Sequence, residues 1–126
     1  MMKVLGVIAN ELEKIGIPYD FMRWKSTPQY PYWVGEYSEI PTDNEEGYKE
    51  FTMMLTGTTN GDSWLALEEQ KNNIESHFPS VCGLRTTTDT GSVTIFYENA
   101  FPIDTGDANL KRIQVNLCVK EWKGSI

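Results

Sequence analysis

One histidine, His77, and two cysteines, Cys82 and Cys118, are all that 126 residues offer for metal binding or nucleophilic chemistry beyond carboxylates and hydroxyls. The cysteines do not form a CxxC pair, and zinc needs about four ligands at defined spacing, so a Cys/His zinc site is disfavoured. Free thiols in a reducing compartment are the simpler reading. No GxSxG elbow occurs, and no serine or cysteine has an identifiable catalytic partner. The ten glycines are scattered and form no phosphate-binding loop. Long basic runs are missing too, and the net charge of −7 disfavours tight non-specific binding to duplex nucleic acid. Lys111-Arg112 and Lys120 to Lys123 are the only candidates for a local basic patch. No stretch approaches the roughly 20 apolar residues of a membrane span. The short run "VLGVIA" after Lys3 meets Asn10, Glu11, Glu13 and Lys14 too soon for a signal peptide. The expectation is a soluble, intracellular protein without cofactor or metal and without enzymatic activity.

What is present is pattern. Leu5, Ile8, Leu12 and Ile15 recur at helical spacing, with Gly16 and Pro18 as the stop. From Ile17 the period becomes two: Ile17, Tyr19 and Phe21 share one face, and Met22 and Trp24 the other, before "KSTPQ" (25–29) breaks the chain. "YPYWVGEYSE" (30–39) reads as a second strand. Its two parities both carry aromatic or apolar bulk, so it is expected to be covered on both sides, by its own domain or by a neighbouring subunit. The acidic stretch 40–47 reads as an exposed loop, and 48–58 as a strand with Phe51, Met53 and Leu55 inward. After "TNGD", with Asp62 or Ser63 as cap, a second helix is expected on the stripe Trp64, Leu67, Lys71, Ile74 and Phe78, closed by Pro79.

The last third reads as β. "LRTTT" and "SVTIFYE" flank the turn Asp89-Thr90-Gly91, residues 99–109 read as a long loop, and 112–120 alternate cleanly. The expected fold is a single α+β domain over 1–126. Two helices would pack on one face of a mostly antiparallel sheet in the order α-β-β-β-α-β-β-β.

Three sharper motifs compete with plain turns. Asp-Thr-Gly occurs at Asp89 and again at Asp104. An aspartic dyad needs two lobes or two chains, and copies fifteen residues apart in one small domain read as turns. Asp104, Asp107 and Asn109, and separately Asp43, Glu45 and Glu46, supply oxygen ligands without calcium-loop spacing, so both groups read as solvated loops. His77 reads as an exposed helix-end residue. The aromatic group Tyr30, Tyr32, Trp33 and Tyr37 could form a ligand platform only if its rings shared one exposed face.

The order of these parts resembles the tail terminator (tail completion) proteins of long-tailed bacteriophages. The resemblance rests on the N-terminal helix, "IPYDFMRW", the Tyr-Pro-Tyr strand "YPYWVGEYSE", "TGTTNGDSW" leading into the second helix, and the close "GDANLKRIQVNLCVKEW". It spans most of the chain as architecture, without a diagnostic residue string. It implies a structural minor tail protein of a phage or prophage, located at the head-tail junction of the virion. Such a protein forms a hexameric ring that caps the tail tube, stops its polymerisation and meets the head-tail connector. Genomic DNA passes through the lumen without specific binding. Interface candidates under this reading are Trp33, Tyr37, Glu39, Asp43, Glu45, Glu46, Phe101, Asp104 and Asp107, with segments 40–47 and 99–109 as contact loops. Alternatives are another neck component (connector or stopper), a small ligand-binding module using strand 30–37, and a small hydrolase using Asp89 or Asp104.

Overall fold

Helix α1 (Met2–Lys14) buries Val4, Leu5, Ile8 and Leu12, the stripe that its 3.6-residue period sets on one side. Its end is a Schellman motif: Ile17 N–H donates to Leu12 O at 3.0 Å and Gly16 N–H to Glu13 O at 3.0 Å. Gly16 takes the positive φ of 74° that this closure requires. The chain then enters β1 (Tyr19–Phe21), followed by β2 (Tyr32–Ile40), β3 (Tyr48–Asn60), α2 (Leu65–His77), β4 (Leu84–Thr88), β5 (Gly91–Ile103) and β6 (Leu110–Lys123). This computed structural model describes residues 2–23, 29–40, 48–61, 63–89 and 91–123. Trp24, the break at 25–28, the loop residues 41–47 with Asp43, Glu45 and Glu46, the alternative cap Asp62, and Thr90 lie outside the described residues.

The strands form one six-stranded sheet in the order β1-β2-β3-β6-β5-β4. The expected fold class, helices on a mostly antiparallel sheet, is corrected here. The sheet is mixed and curled, and strands account for 53% of the described residues, so the sheet and not a helix layer defines the architecture. β1 pairs with β2 in parallel, Tyr19 against Trp33 and Phe21 against Gly35. Parallel neighbours cannot be joined by a tight turn, which is why β1 and β2, adjacent in sequence, do not form a hairpin. Met22, at φ 71°, ends β1 short of the expected strand to Trp24.

The sheet also extends where turn residues had suggested a loop. β5 continues through Asn99–Ile103, with a register irregularity between Tyr97 and Asn99 that absorbs the extra residue. Pairing with the long β6 holds this polar and proline-containing segment extended. The expected loop therefore begins only after Ile103.

Inward residues of β2, β3, β5 and β6 join the buried residues of both helices in a single cluster that includes Trp33, Phe51, Met53, Leu55, Leu67, Ile74, Phe78, Val115 and Leu117. Two glycines make room for aromatic rings lying across the sheet. A Cβ on Gly57 would stand 2.6 Å from the Trp33 ring and 2.8 Å from Leu67; one on Gly35 would stand 2.6 Å from the Tyr19 hydroxyl and 2.5 Å from Met53. Trp33 then fixes α2 to the sheet through Nε1, which donates to Gln70 Oε1 at 2.8 Å. Tyr19 keeps its hydroxyl buried without a hydrogen-bond partner among the described residues, and burial, followed by the neighbouring Asp20 charge, raises its pKa well above the usual tyrosine value.

Candidate assembly surface

Register divides the sheet into two unlike faces. The inner face carries the core. The outer face carries Val34, Glu36, Ser38, Thr52, Met54, Thr56, Arg112, Gln114, Asn116, Cys118 and Lys120, and no described helix covers it. These side chains satisfy one another laterally. Gln114 Nε2 donates to Asn116 Oδ1 and Asn116 Nδ2 to Asn99 Oδ1, both at 2.9 Å, and Arg112 Nε donates to Thr58 Oγ1 at 3.3 Å. Lys120 sits over Tyr48 and Phe96, 5.2 and 5.8 Å from their ring centroids, and Tyr48 contacts Trp122 at 5.4 Å. Cys118 Sγ donates to Glu50 Oε2 at 3.4 Å. Burial, then the Glu50 charge, pushes that thiol up to about 11, so it is a poor nucleophile at neutral pH.

An apolar patch lies at the start of α2 on the core side of the sheet, with Phe101 at its border with the outer face. Trp64 and Phe101 are exposed, as is Leu65 at 65%. Trp64, Glu68, Lys71, Ala100, Phe101 and Pro102 line a cavity of about 280 Å³. Lys111 Nζ lies 5.7 Å from the Trp64 ring centroid. The helical stripe thus departs from expectation at its first position: Leu67, Ile74 and Phe78 are buried, and Trp64 faces outward. Leu65 N–H donates to Ser63 Oγ at 3.1 Å, which accounts for the serine there.

The predicted interface residues are scattered over several places. Trp33 is fully buried and serves the core, so its side chain is not on the surface where a contact was expected. Tyr37, 37% exposed, stacks on Phe21 at 6.1 Å and meets Phe51 edge-on at 5.8 Å. Glu39 is exposed near the end of β2, and Phe101 belongs to the apolar patch. Asp104 Oδ1 accepts from Gly106 N–H and Asp107 Oδ1 from Asn109 N–H, both at 2.9 Å; these carboxylates shape a turn. Asp89 instead pairs with Lys3 at 2.7 Å. The two Asp-Thr-Gly copies flank the thirteen-residue β5, on the order of 40 Å apart along an extended strand, so their carboxylates do not meet. The platform reading loses its geometry as well. Trp33 is buried, while Tyr32 and Tyr37 occupy opposite parities of β2.

One polar cluster went unseen in the sequence. His77 Nε2 lies 2.8 Å from Glu11 Oε1, and Lys14 Nζ donates to Glu11 Oε2 at 2.8 Å. A carboxylate only accepts, so the ring carries its proton on Nε2. His77 is therefore a clasp between α1 and α2 and not the exposed residue expected; partners 66 residues apart leave no local signal. Burial alone would raise the Glu11 pKa, but the hydrogen bonds from Lys14 and His77 outweigh it and hold it below its usual 4.5. A depressed folded pKa contributes stability above the unfolded value, and that contribution is lost as pH falls through the folded one. Melting temperatures between pH 6 and about pH 3 should show native protein losing its advantage over Glu11→Gln as acid approaches the lowered pKa. A constant difference across that range would remove Glu11 from the account.

No family model matches the chain, and no curated protein matches it. A solved structure with no functional name is similar over 97% of this chain and 98% of its own, at 14% sequence identity and a TM-score of 0.69. At that identity the likeness shows the fold alone.

Proposed function

We propose that this chain is a structural subunit of a phage or prophage tail, a tail terminator that forms a hexameric ring on the end of the tail tube. The observation that carries this reading is the one-sided sheet: the core, with residues of both helices, lies on its inner face, while no described helix covers its outer face, where Phe101 is exposed beside Gln114. Exposed apolar groups beside an uncovered sheet face mark interaction surfaces. The resemblance in the order of elements supplies the particular assembly, with the tube protein on one side of the ring and the head-tail connector on the other. A net charge of −7 suits a lumen through which DNA slides without being held. In this reading the protein resides at the head-tail junction of the virion.

The test adds the purified chain to polymerising tail tube protein and measures tube lengths by electron microscopy. Shortened tubes with extra density at one end are expected. An unchanged length distribution with no bound chain would contradict the terminator role. Binding to the connector alone would make the chain a neck component instead.

A further inference from the structure

Two edges of the sheet that no described strand pairs with are complementary, and we infer that β4 of one copy adds to the exposed half of β2 in the next, making one continuous sheet between subunits. This rests on the ring reading only in requiring that the chain associate with itself.

The argument begins with backbone direction. Trp33 N–H donates to Pro18 O at 2.9 Å, and Gly35 O accepts from Met22 N–H at 2.8 Å, so the odd-numbered residues of β2 turn their backbone groups toward β1. The two-residue period of a strand gives Tyr37 and Glu39 the same orientation. β1 pairs only as far as Gly35, and among the described residues no strand continues beyond it. Glu36 to Ile40 are all exposed. Such an edge is a template for a further strand.

The opposite edge of the sheet is β4, five residues long, matching the five exposed positions of β2. Four successive antiparallel pairings separate the two, so β2 and β4 run in the same direction. A rotation about an axis along the strands therefore brings β4 beside β2 in parallel.

Charge selects this pairing over the symmetric one. The β2 edge presents Glu36 and Glu39, whereas exposed Arg85 lies on β4. Glu36 is in register with Met54 and Arg85 with Thr94, which places both on the outer face. They become cross-strand neighbours when the sheets join. Arg85 Nη2 donates to Ser92 Oγ at 3.5 Å, and the guanidinium keeps further donors for a carboxylate. Glu13 and Lys14 of α1, beside Thr86, carry one charge of each sign and leave that balance unchanged. Antiparallel pairing of β2 with a second β2 would instead gather the Glu36 and Glu39 carboxylates of both copies along one seam, a crowding that like charges disfavour. Head-to-tail use of two different edges closes into a ring when the rotation per subunit allows it.

The test is made on the full chain with Cys82→Ser, because Cys82 is exposed. Cys118, with its thiol pushed up to about 11, reacts slowly. Ser38→Cys and Thr87→Cys are introduced together and bridged by a short bis-maleimide. A ladder of covalent oligomers is expected, with none from either single variant. Light scattering of the unbridged protein is recorded alongside. An oligomeric mass with no ladder would overturn the edge pairing and leave the ring reading standing; a monomeric mass with no ladder, both alone and with tail tube protein present, would count against both. As a second measurement, Glu36→Arg is expected to weaken association roughly tenfold, with Arg85→Glu in the same chain restoring it. Unchanged circular dichroism melts would assign the loss to the contact. Failure of the double variant to recover, with both folds intact, would overturn the pairing.

Discussion

Trp33→Ala is expected to destabilise the domain by about 3–5 kcal/mol, the usual range for removing a fully buried indole. The ring is wholly inaccessible to solvent, lies across Gly57, and ties β2 to α2 through Gln70. Its removal leaves a cavity between sheet and helix and deprives Gln70 Oε1 of its donor. Against a total stability of roughly 5–15 kcal/mol, the variant would be near unfolding at ambient temperature. Chemical denaturation followed by circular dichroism measures the loss. A cost below about 1 kcal/mol would show that Trp33 is not the keystone between β2 and α2. Any loss of assembly in this variant is then secondary to the fold, because the indole reaches no neighbour.

Gly57→Ala should cost about 1–3 kcal/mol, the range for forcing extra volume into a packed core. The new methyl group would stand 2.6 Å from two atoms of the Trp33 ring, and 2.8 Å from Leu67 on the other side. Since Trp33 makes the glycine necessary, the two substitutions are coupled. In a Trp33→Ala background, Gly57→Ala is expected to be nearly neutral or stabilising, because the methyl group enters space the ring has left and alanine suits a strand better than glycine. Additive costs in the double-mutant cycle would mean that the glycine serves something other than the indole.

How far the sequence announced this structure depends on the distance over which each feature is decided. The α1 stripe and the Gly16 stop are local, and so is the alternation of β6, whose Ile113, Val115, Leu117 and Val119 are all buried. The direction of β1 is not local. Tyr19, Asp20 and Phe21 read as a strand in isolation, but only pairing with Trp33 to Gly35 makes it parallel. The persistence of β5 through Pro102 likewise depends on Ile113 opposite it. For the candidate surface, the aromatic density of residues 30–37 was visible, but its division was not. Trp33 went inward because Gly57, twenty-four residues away, leaves space for it. Tyr37 shares the same parity yet stays partly exposed, since β1 stops before reaching it. Trp64 and Phe101 form one patch only because β5 extends beside the start of α2. The Glu11–His77 clasp depends on two helices meeting, which no window of sequence contains.

The central claim is that this fold exists to be repeated around an axis. Light scattering of the chain, alone and mixed with the tail tube protein of the proposed assembly, tests it most directly, with particles viewed by electron microscopy along the axis. The account predicts six times the chain mass and a closed ring with an open centre, formed by the chain alone or on the tube end. A monomeric mass under both conditions, with no ring on the tube, would contradict it.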